Sequence, residues 1–257
     1  MDEVVRELSE KDSTHRVHLV KHPKHGEIVK KTFFDPVTFK REIEAVKAID
    51  RTMRPVVYKI DVRRRCLYMS YQPLEEAFDC ANKDLAAAAL MKQLHHTTRR
   101  YGAVYDPGTG EHFTTWKDYL AHAFRKPVES LRDWIAVGER LEEKLAQLKD
   151  SPYTPLAYIH GDFRFANIGE RNGRLLLFDF DRSMIGDPYW DVAQYAFESA
   201  RCKSRFYEAY GVEDVAKADA HVWFVALQKA AKLAKSDRTD SNGFAKCMGV
   251  LKNGGKA

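Results

Sequence analysis

The chain has 257 residues, 31% of them charged and 44% hydrophobic, enough for one large domain or two modest lobes around a sizeable core. No apolar run approaches eighteen residues and the start, Met1-Asp2-Glu3, is acidic, so neither a membrane span nor an export signal is expected and a cytoplasmic protein is the default. The net charge of +5 arises after residue 200, where eleven Lys and Arg face six Asp and Glu, while the first 200 residues hold 31 of each sign; such a region faces solvent or an anionic partner.

Residues 4–34 carry short alternating runs around the turn His22-Pro23-Lys24-His25-Gly26, which predicts three antiparallel strands. Asp35-Pro36 precedes a helix over 37–50, with Phe39, Ile43, Val46 and Ile49 at three- and four-residue steps. Two more strands are predicted over 56–60 and 66–70. The stretch Tyr71-Gln72-Pro73-Leu74 then marks a change from strands to helices, which divides the chain into lobes 1–73 and 74–257. Helices are predicted over 84–96, over two parts of 113–148 separated at Lys126-Pro127, and over 192–210 and 215–234. Residues 101–110 read as a loop, and the last twenty residues as a polar, loose end. Neighbours on a helix point about 100° apart, so His95 and His96 read as capping or packing residues and not as a metal pair. The four cysteines, Cys66, Cys80, Cys202 and Cys247, lack the spacing of a zinc site or a disulfide framework.

The chemistry is concentrated in residues 158–191, Y-I-H-G-D-F-R-F-A-N-I-G-E-R-N-G-R-L-L-L-F-D-F-D-R-S-M-I-G-D-P-Y-W-D. A short apolar lead-in delivers His160, Gly161 and Asp162 to a turn, and Asn167 follows five residues after Asp162. Asn172-Gly173 is a hairpin signal, and the apolar run 175–178 is a buried strand that ends in Asp179 and Asp181. Phosphoryl transfer needs one carboxylate to orient a hydroxyl and accept its proton, and an oxygen-rich pair to hold Mg²⁺ against nucleotide phosphates. Asp162 is the candidate for the first role; Asn167 and Asp179 are the candidates for the second. Asp181 is a candidate auxiliary acid, and His160 and Asp191 are read as braces of the loop.

On these residues the sequence resembles the aminoglycoside phosphotransferase and choline kinase group of small-molecule kinases: His160-Gly161-Asp162 with Asn167 matches H-G-D-x-x-x-x-N, and Asp179, Asp187, Pro188 and Asp191 match the following D-P-x-x-D stretch. The resemblance implies an α+β, two-lobed protein-kinase-like fold, with a small antiparallel β lobe and a larger helical one, that uses ATP, with GTP left open, and Mg²⁺. It further implies a strand lysine on the nucleotide phosphates, paired with a glutamate of the next helix. Only one of Lys30 and Lys31 can face inward; Lys30 is favoured because two β-branched residues precede it, with Glu42 as its partner and Glu44 in competition. Tyr71 and Gln72 fall at the hinge whose backbone would bond the base. The turn 9–14 would lie over the phosphates, although it lacks the glycines of the protein-kinase loop.

For the acceptor, the basic end of the chain counts against a polycationic antibiotic. The run Asp179-Phe180-Asp181-Arg182-Ser183 is also similar to the D-F-D-R-G segment of lipopolysaccharide core sugar kinases. A sugar or saccharide-containing acceptor follows, an anionic sugar or lipopolysaccharide precursor among the candidates. Two other classes compete: a kinase-shaped binding module that has lost activity, and an aspartate-nucleophile phosphatase built on residues 175–183. Only 78 residues follow Asp179, too few for the remaining strands of the doubly wound fold that such a phosphatase uses. Nucleic acid is not an expected partner, since no recognition motif accompanies the basic region.

Overall fold

The structure, a computed structural model, describes residues 3–9, 15–71, 83–97, 103–132, 134, 137–148, 155–171, 173–198 and 202–254. The first part is a sheet backed by one helix. Strands β1 (Glu3–Glu7), β2 (His15–His22) and β3 (Gly26–Phe33) are followed by α1 (Pro36–Ala48) and by β4 (Val57–Asp61) and β5 (Cys66–Ser70). They form an antiparallel sheet in the order β1-β2-β3-β5-β4. Asp35 starts α1 as the sequence requires: its carboxylate accepts the backbone N–H of Val37 at 3.0 Å and of Thr38 at 3.3 Å, while Pro36 occupies a first-turn position that has no N–H to satisfy. The lobe boundary expected at residue 73, together with Gln72, Cys80 and the turn residues 10–14, lies outside the described residues.

The second part is mainly helical: α2 (Lys83–Thr97), then β6 (Val104–Tyr105), β7 (His112–Phe113), α3 (Trp116–Ala123), α4 (Arg125–Ser130) and α5 (Val137–Gln147). There follow β8 (Ala157–Ile159), the hairpin β9 (Ile168–Arg171) and β10 (Arg174–Leu177), and β11 (Met184–Gly186). The chain ends in α6 (Tyr189–Glu198), α7 (Lys203–Tyr210), α8 (Val215–Lys235) and α9 (Asn242–Lys252). Strands β7-β6-β11-β8 make a small second sheet, whose β8 and β11 flank the stretch 160–183 that holds the candidate residues. All strand pairs among the described residues are antiparallel, so the parallel sheet of the phosphatase reading has no counterpart there.

The core of this lobe is wound around α8, where Val222 to Leu227 are fully buried against α4, α6 and α9. A second apolar cluster, from Leu90, Met91 and Leu94 of α2 to Phe163, Leu177, Tyr195 and Phe206, anchors the stretch 158–180 from below. No described helix is long and apolar enough to cross a membrane. Cys66, Cys202 and Cys247 are free thiols.

Four sequence expectations change. The helix expected over 192–210 is two, α6 and α7, because Cys202 is extended at the start of α7. The last residues are not a loose end up to Asn253: Ser241 caps α9 through the N–H of Phe244, and Phe244, Cys247, Met248 and Leu251 pack on the core. The break expected at Lys126-Pro127 lies instead at Phe124, because the proline sits in the first turn of α4, where its missing N–H costs nothing. The loop expected at 101–110 contains β6, which pairs with β7 and β11.

Candidate active site

Two cavities hold candidate residues. The first, about 330 Å³, is walled by Val17, Val29, Val57, Met69 and Phe178, with Lys31, Glu42, Tyr71 and Asp179 supplying its polar groups. The strand period decides which lysine enters it. In β3, Ile28 and Lys30 belong to the opposite face, where Ile28 is buried with Val20, Cys66 and Tyr68 and the Lys30 ammonium lies 5.5 Å from the Tyr68 ring. Lys30, favoured from the sequence, therefore points away, and Lys31 takes the inward position beside Val29 and Phe33. Apolar residues on both faces of β3 removed the alternation that would have told the two apart.

Lys31 is 4% exposed, and its ammonium donates to Glu42 Oε2 at 2.9 Å and to Asp179 Oδ1 at 2.7 Å. Burial works to lower the Lys31 pKa, but Glu42, Asp179 and Asp181 outweigh it and hold the side chain protonated. Glu42 is pushed up to about 7 by burial, against the pull of Lys31. Asp179 moves the other way: burial disfavours its charge, yet Lys31 drives its pKa well below the ordinary carboxylate value. Asp181, buried and close to Asp179, is raised for those two reasons. Asp179 also adopts φ +64, a left-handed conformation that costs a non-glycine residue about 1–2 kcal/mol and turns the chain out of β10 so that the carboxylate faces the cavity.

The hairpin brings the other groups alongside. Ile168 pairs with Leu177, and the Phe178 N–H donates to the Asn167 carbonyl at 3.0 Å, so Asn167 and Asp179 emerge side by side from facing strand ends. The Asn167 amide donates to the Asp162 carbonyl at 2.9 Å and to its Oδ2 at 3.3 Å, fixing the side chain of Asp162. The turn before Asp162 is braced from below. Asp191 Oδ2 accepts the His160 N–H at 2.7 Å and Oδ1 the Gly161 N–H at 2.8 Å. His160 Nε2–H donates to the Phe178 carbonyl at 2.9 Å, which leaves Nδ1 to accept the Asp162 N–H at 3.3 Å. Gly161 has φ +79, and a Cβ there would lie 2.1 Å from the Arg182 carbonyl oxygen, so glycine is required both for the turn and for the close approach.

Oxygen donors from Asp179 and Asn167, one carboxylate and one amide, suit a hard divalent cation such as Mg²⁺. His15 Nε2 lies 3.8 Å from Asp179 Oδ1, and His15, Asp179 and Asp181 bring their ligand atoms within 4.8 Å of one another. Burial and the nearby Lys31 lower the His15 pKa to about 4, so the ring is neutral at pH 7. Sequence reading missed His15, which sits 164 residues from Asp179. His95, read as a capping or packing residue, donates Nε2–H to Asp191 Oδ2 at 3.1 Å while its Nδ1 accepts the Tyr210 hydroxyl at 2.8 Å, a contact that sequence spacing did not reveal. Asp191 thus gathers three N–H donors. Tyr71 lines the first cavity.

The second cavity, about 310 Å³, opens on the other side of Asp162 and is lined by Arg41, Tyr119, Arg164, Arg182, Trp190, Gln228, Lys229 and Lys232 among others. Arg41 is held by Asp106 through two contacts, Nε to Oδ1 at 2.9 Å and Nη2 to Oδ2 at 2.5 Å, which tie α1 to the β6–β7 turn.

Comparison with known proteins agrees with this geometry. The sequence profile of the phosphotransferase enzyme family matches residues 17–221. A thermostable mutant of the aminoglycoside phosphotransferase APH(4)-Ia superposes with a TM-score of 0.73 at 17% identity, over 100% of this chain and 96% of that one. The same enzyme in a ternary complex with ADP and hygromycin B gives a TM-score of 0.73 at 16% identity, again over 100% and 96%. The choline kinase LicA from Streptococcus pneumoniae gives 0.65 at 16% identity, over 98% and 94% of the two chains. These likenesses establish a shared protein-kinase-like fold. No curated protein sequence matches the chain.

Proposed function

The chain belongs to the phosphotransferase enzyme family, and from that premise we propose that it is an ATP-dependent kinase transferring the γ-phosphoryl group to a hydroxyl of a small molecule. One observation carries the reading: Asp179 lines one cavity and Asp162 the other, with Asn167 between them, so a donor and an acceptor held in the two cavities would meet at these three residues. The apolar walls of the first cavity suit a purine base, ATP being preferred and GTP the alternative, with the backbone near Tyr71 on its edge. Lys31, positioned by Glu42, would bind the phosphates in place of the contact it makes with Asp179. Asp162 would orient the acceptor hydroxyl and take its proton, and the Asn167 amide keeps its carboxylate in place. Asn167 and Asp179 would hold Mg²⁺, which neutralises phosphate charge when bound. In the neighbouring fold the pair ADP and hygromycin B occupies one enzyme together, which supports a site built for nucleotide plus acceptor. The acceptor we assign is a sugar or saccharide, lipopolysaccharide precursors included.

The test is nucleotide consumption with Mg²⁺, ATP and GTP in separate runs, against aminoglycosides, choline-like amines, sugars and lipopolysaccharide fragments. Turnover of a sugar-containing acceptor that falls at least 100-fold in Asp162→Ala, with nucleotide affinity within a factor of three, is the expected result. Turnover that survives the substitution, or a chain that binds no nucleotide with Mg²⁺, would overturn the reading.

A further inference from the structure

We propose that the cavity beside Asp162 selects acceptors carrying an anionic group, a phosphate or a carboxylate, through Arg182, Lys229 and Lys232. The assignment of this cavity to the acceptor rests on the kinase reading above; the preference for an anion rests on the walls themselves. Five cationic side chains line it, Arg41, Arg164, Arg182, Lys229 and Lys232, against the single carboxylate of Asp162. Three of the five have carboxylate partners. Arg41 is bound by Asp106, Arg164 Nε lies 3.3 Å from Asp162 Oδ2, and Lys229 forms an ion pair with Glu198. Arg182 and Lys232 are exposed at the cavity rim and form no ion pair among the described residues. The concave space therefore holds two positive charges that have no ion-pair partner among the described residues, beside a third, Lys229.

The arrangement comes from two separate elements. Arg182 lies in the turn between β10 and β11, with its backbone carbonyl packed against Gly161 of the catalytic turn. Lys229 and Lys232 are three residues apart on α8 and so share one face of that helix. Burial lowers the Lys229 pKa to about 8; Asp162 pulls it back up, while Arg164 and Arg182 push in the same direction as burial. An anion seated among these groups would relieve that repulsion, and a guanidinium can grip a phosphate or carboxylate with two parallel N–H bonds. A cationic acceptor would meet like charge instead, and a neutral one would leave the cations with solvent alone.

The deciding experiment is calorimetric binding, in the presence of Mg-ADP, of four matched probes: hexose 6-phosphates, hexuronic acids, the parent hexoses and the corresponding hexosamines. Wild type, Arg182→Glu/Lys232→Glu, Arg182→Gln/Lys232→Gln and Lys235→Glu are compared, Lys235 being exposed on α8 outside the cavity lining. The expected result is at least tenfold tighter binding of a phosphorylated or carboxylated hexose than of its parent, weakening with added salt. Both double variants should lose that preference, the glutamate pair more fully, while Lys235→Glu stays within twofold and all variants bind Mg-ADP like wild type. Parent hexoses or hexosamines binding as tightly as the anionic probes, an unchanged preference in both double variants, or no binding of either anionic probe overturns the proposal. A chain that selects the anionic probes but never binds Mg-ADP keeps this inference for the cavity and sinks the kinase reading instead.

Discussion

Replacing Lys31 by Met and, separately, Lys30 by Met tests the assignment on which the nucleotide site depends. With an effective dielectric constant of about 20, charges at the observed 2.9 Å to Glu42 and 2.7 Å to Asp179 attract by about 6 kcal/mol each. Most of that gross attraction is offset by the cost of taking three ions out of water. Removing only the ammonium is a different matter, because it leaves two carboxylates facing each other, and breaking a buried pair in this way costs about 3–5 kcal/mol. Glu42 limits the damage: its pKa, already about 7, rises further once Lys31 is gone, so it takes up a proton at neutral pH. We therefore expect Lys31→Met to lose about 3 kcal/mol in denaturant unfolding at pH 7, and its affinity for Mg-ATP to fall at least tenfold in an equilibrium titration. Lys30→Met, on the face away from the cavity with its ammonium 5.5 Å from the Tyr68 ring, should lose about 0.5 kcal/mol and bind Mg-ATP within twofold of wild type. The opposite ranking, with Lys30→Met weak in nucleotide binding and Lys31→Met intact, would refute the face assignment of β3 and with it the Lys31–Glu42 pairing.

Other consequences follow from the same contacts. Gly161→Ala must move the Arg182 carbonyl, 2.1 Å from the added Cβ, and accept φ +79, so a loss above about 2 kcal/mol is expected in thermal or denaturant unfolding; an unchanged midpoint would mean that this approach is not fixed. Asp191→Ala strips acceptors from the His160 and Gly161 N–H groups and from His95, at about 1–3 kcal/mol for each buried donor left unmatched, and hydrogen exchange at residues 160 and 161 should quicken as a direct readout. His221 is buried and neutral, accepting the Trp116 indole N–H at 2.9 Å and donating Nδ1–H to the Lys217 carbonyl at 2.8 Å, and burial lowers its pKa below 6.5. The unfolded state then binds the extra proton, so this contribution is present above pH 6.5 and is lost as the pH falls below it, at up to about 1.4 kcal/mol per unit. His221→Gln should flatten that slope between pH 6.5 and 5, and equal slopes in the two proteins would show that His221 carries no such linkage.

What was legible in the sequence follows from how far apart the cooperating residues lie. Asp162 and Asn167 share one turn, and a two-residue hairpin loop returns the chain to Asp179, so local spacing alone places three groups of the site together. The same holds for the start of α1, where Asp35-Pro36 contains its own cap. Lys31 was not legible because β3 is apolar on both faces, and only the position of α1 decides which side is the cleft. Helix α9 was hidden by Gly243 and Gly249 and by its lysines, although Phe244, Cys247, Met248 and Leu251 follow a helical stripe that becomes decisive once α8 lies beneath it. His15 and His95 act on residues 164 and 96 positions away, a distance at which spacing carries no information. The acceptor side belongs to this last category. Arg182 and Lys229 come from a turn and a helix with no common motif, so the residues proposed for phosphoryl transfer can be read from a short stretch of sequence, whereas the charge of the cavity proposed for the acceptor emerges only when the folded chain brings α8 against the turn at Asp162.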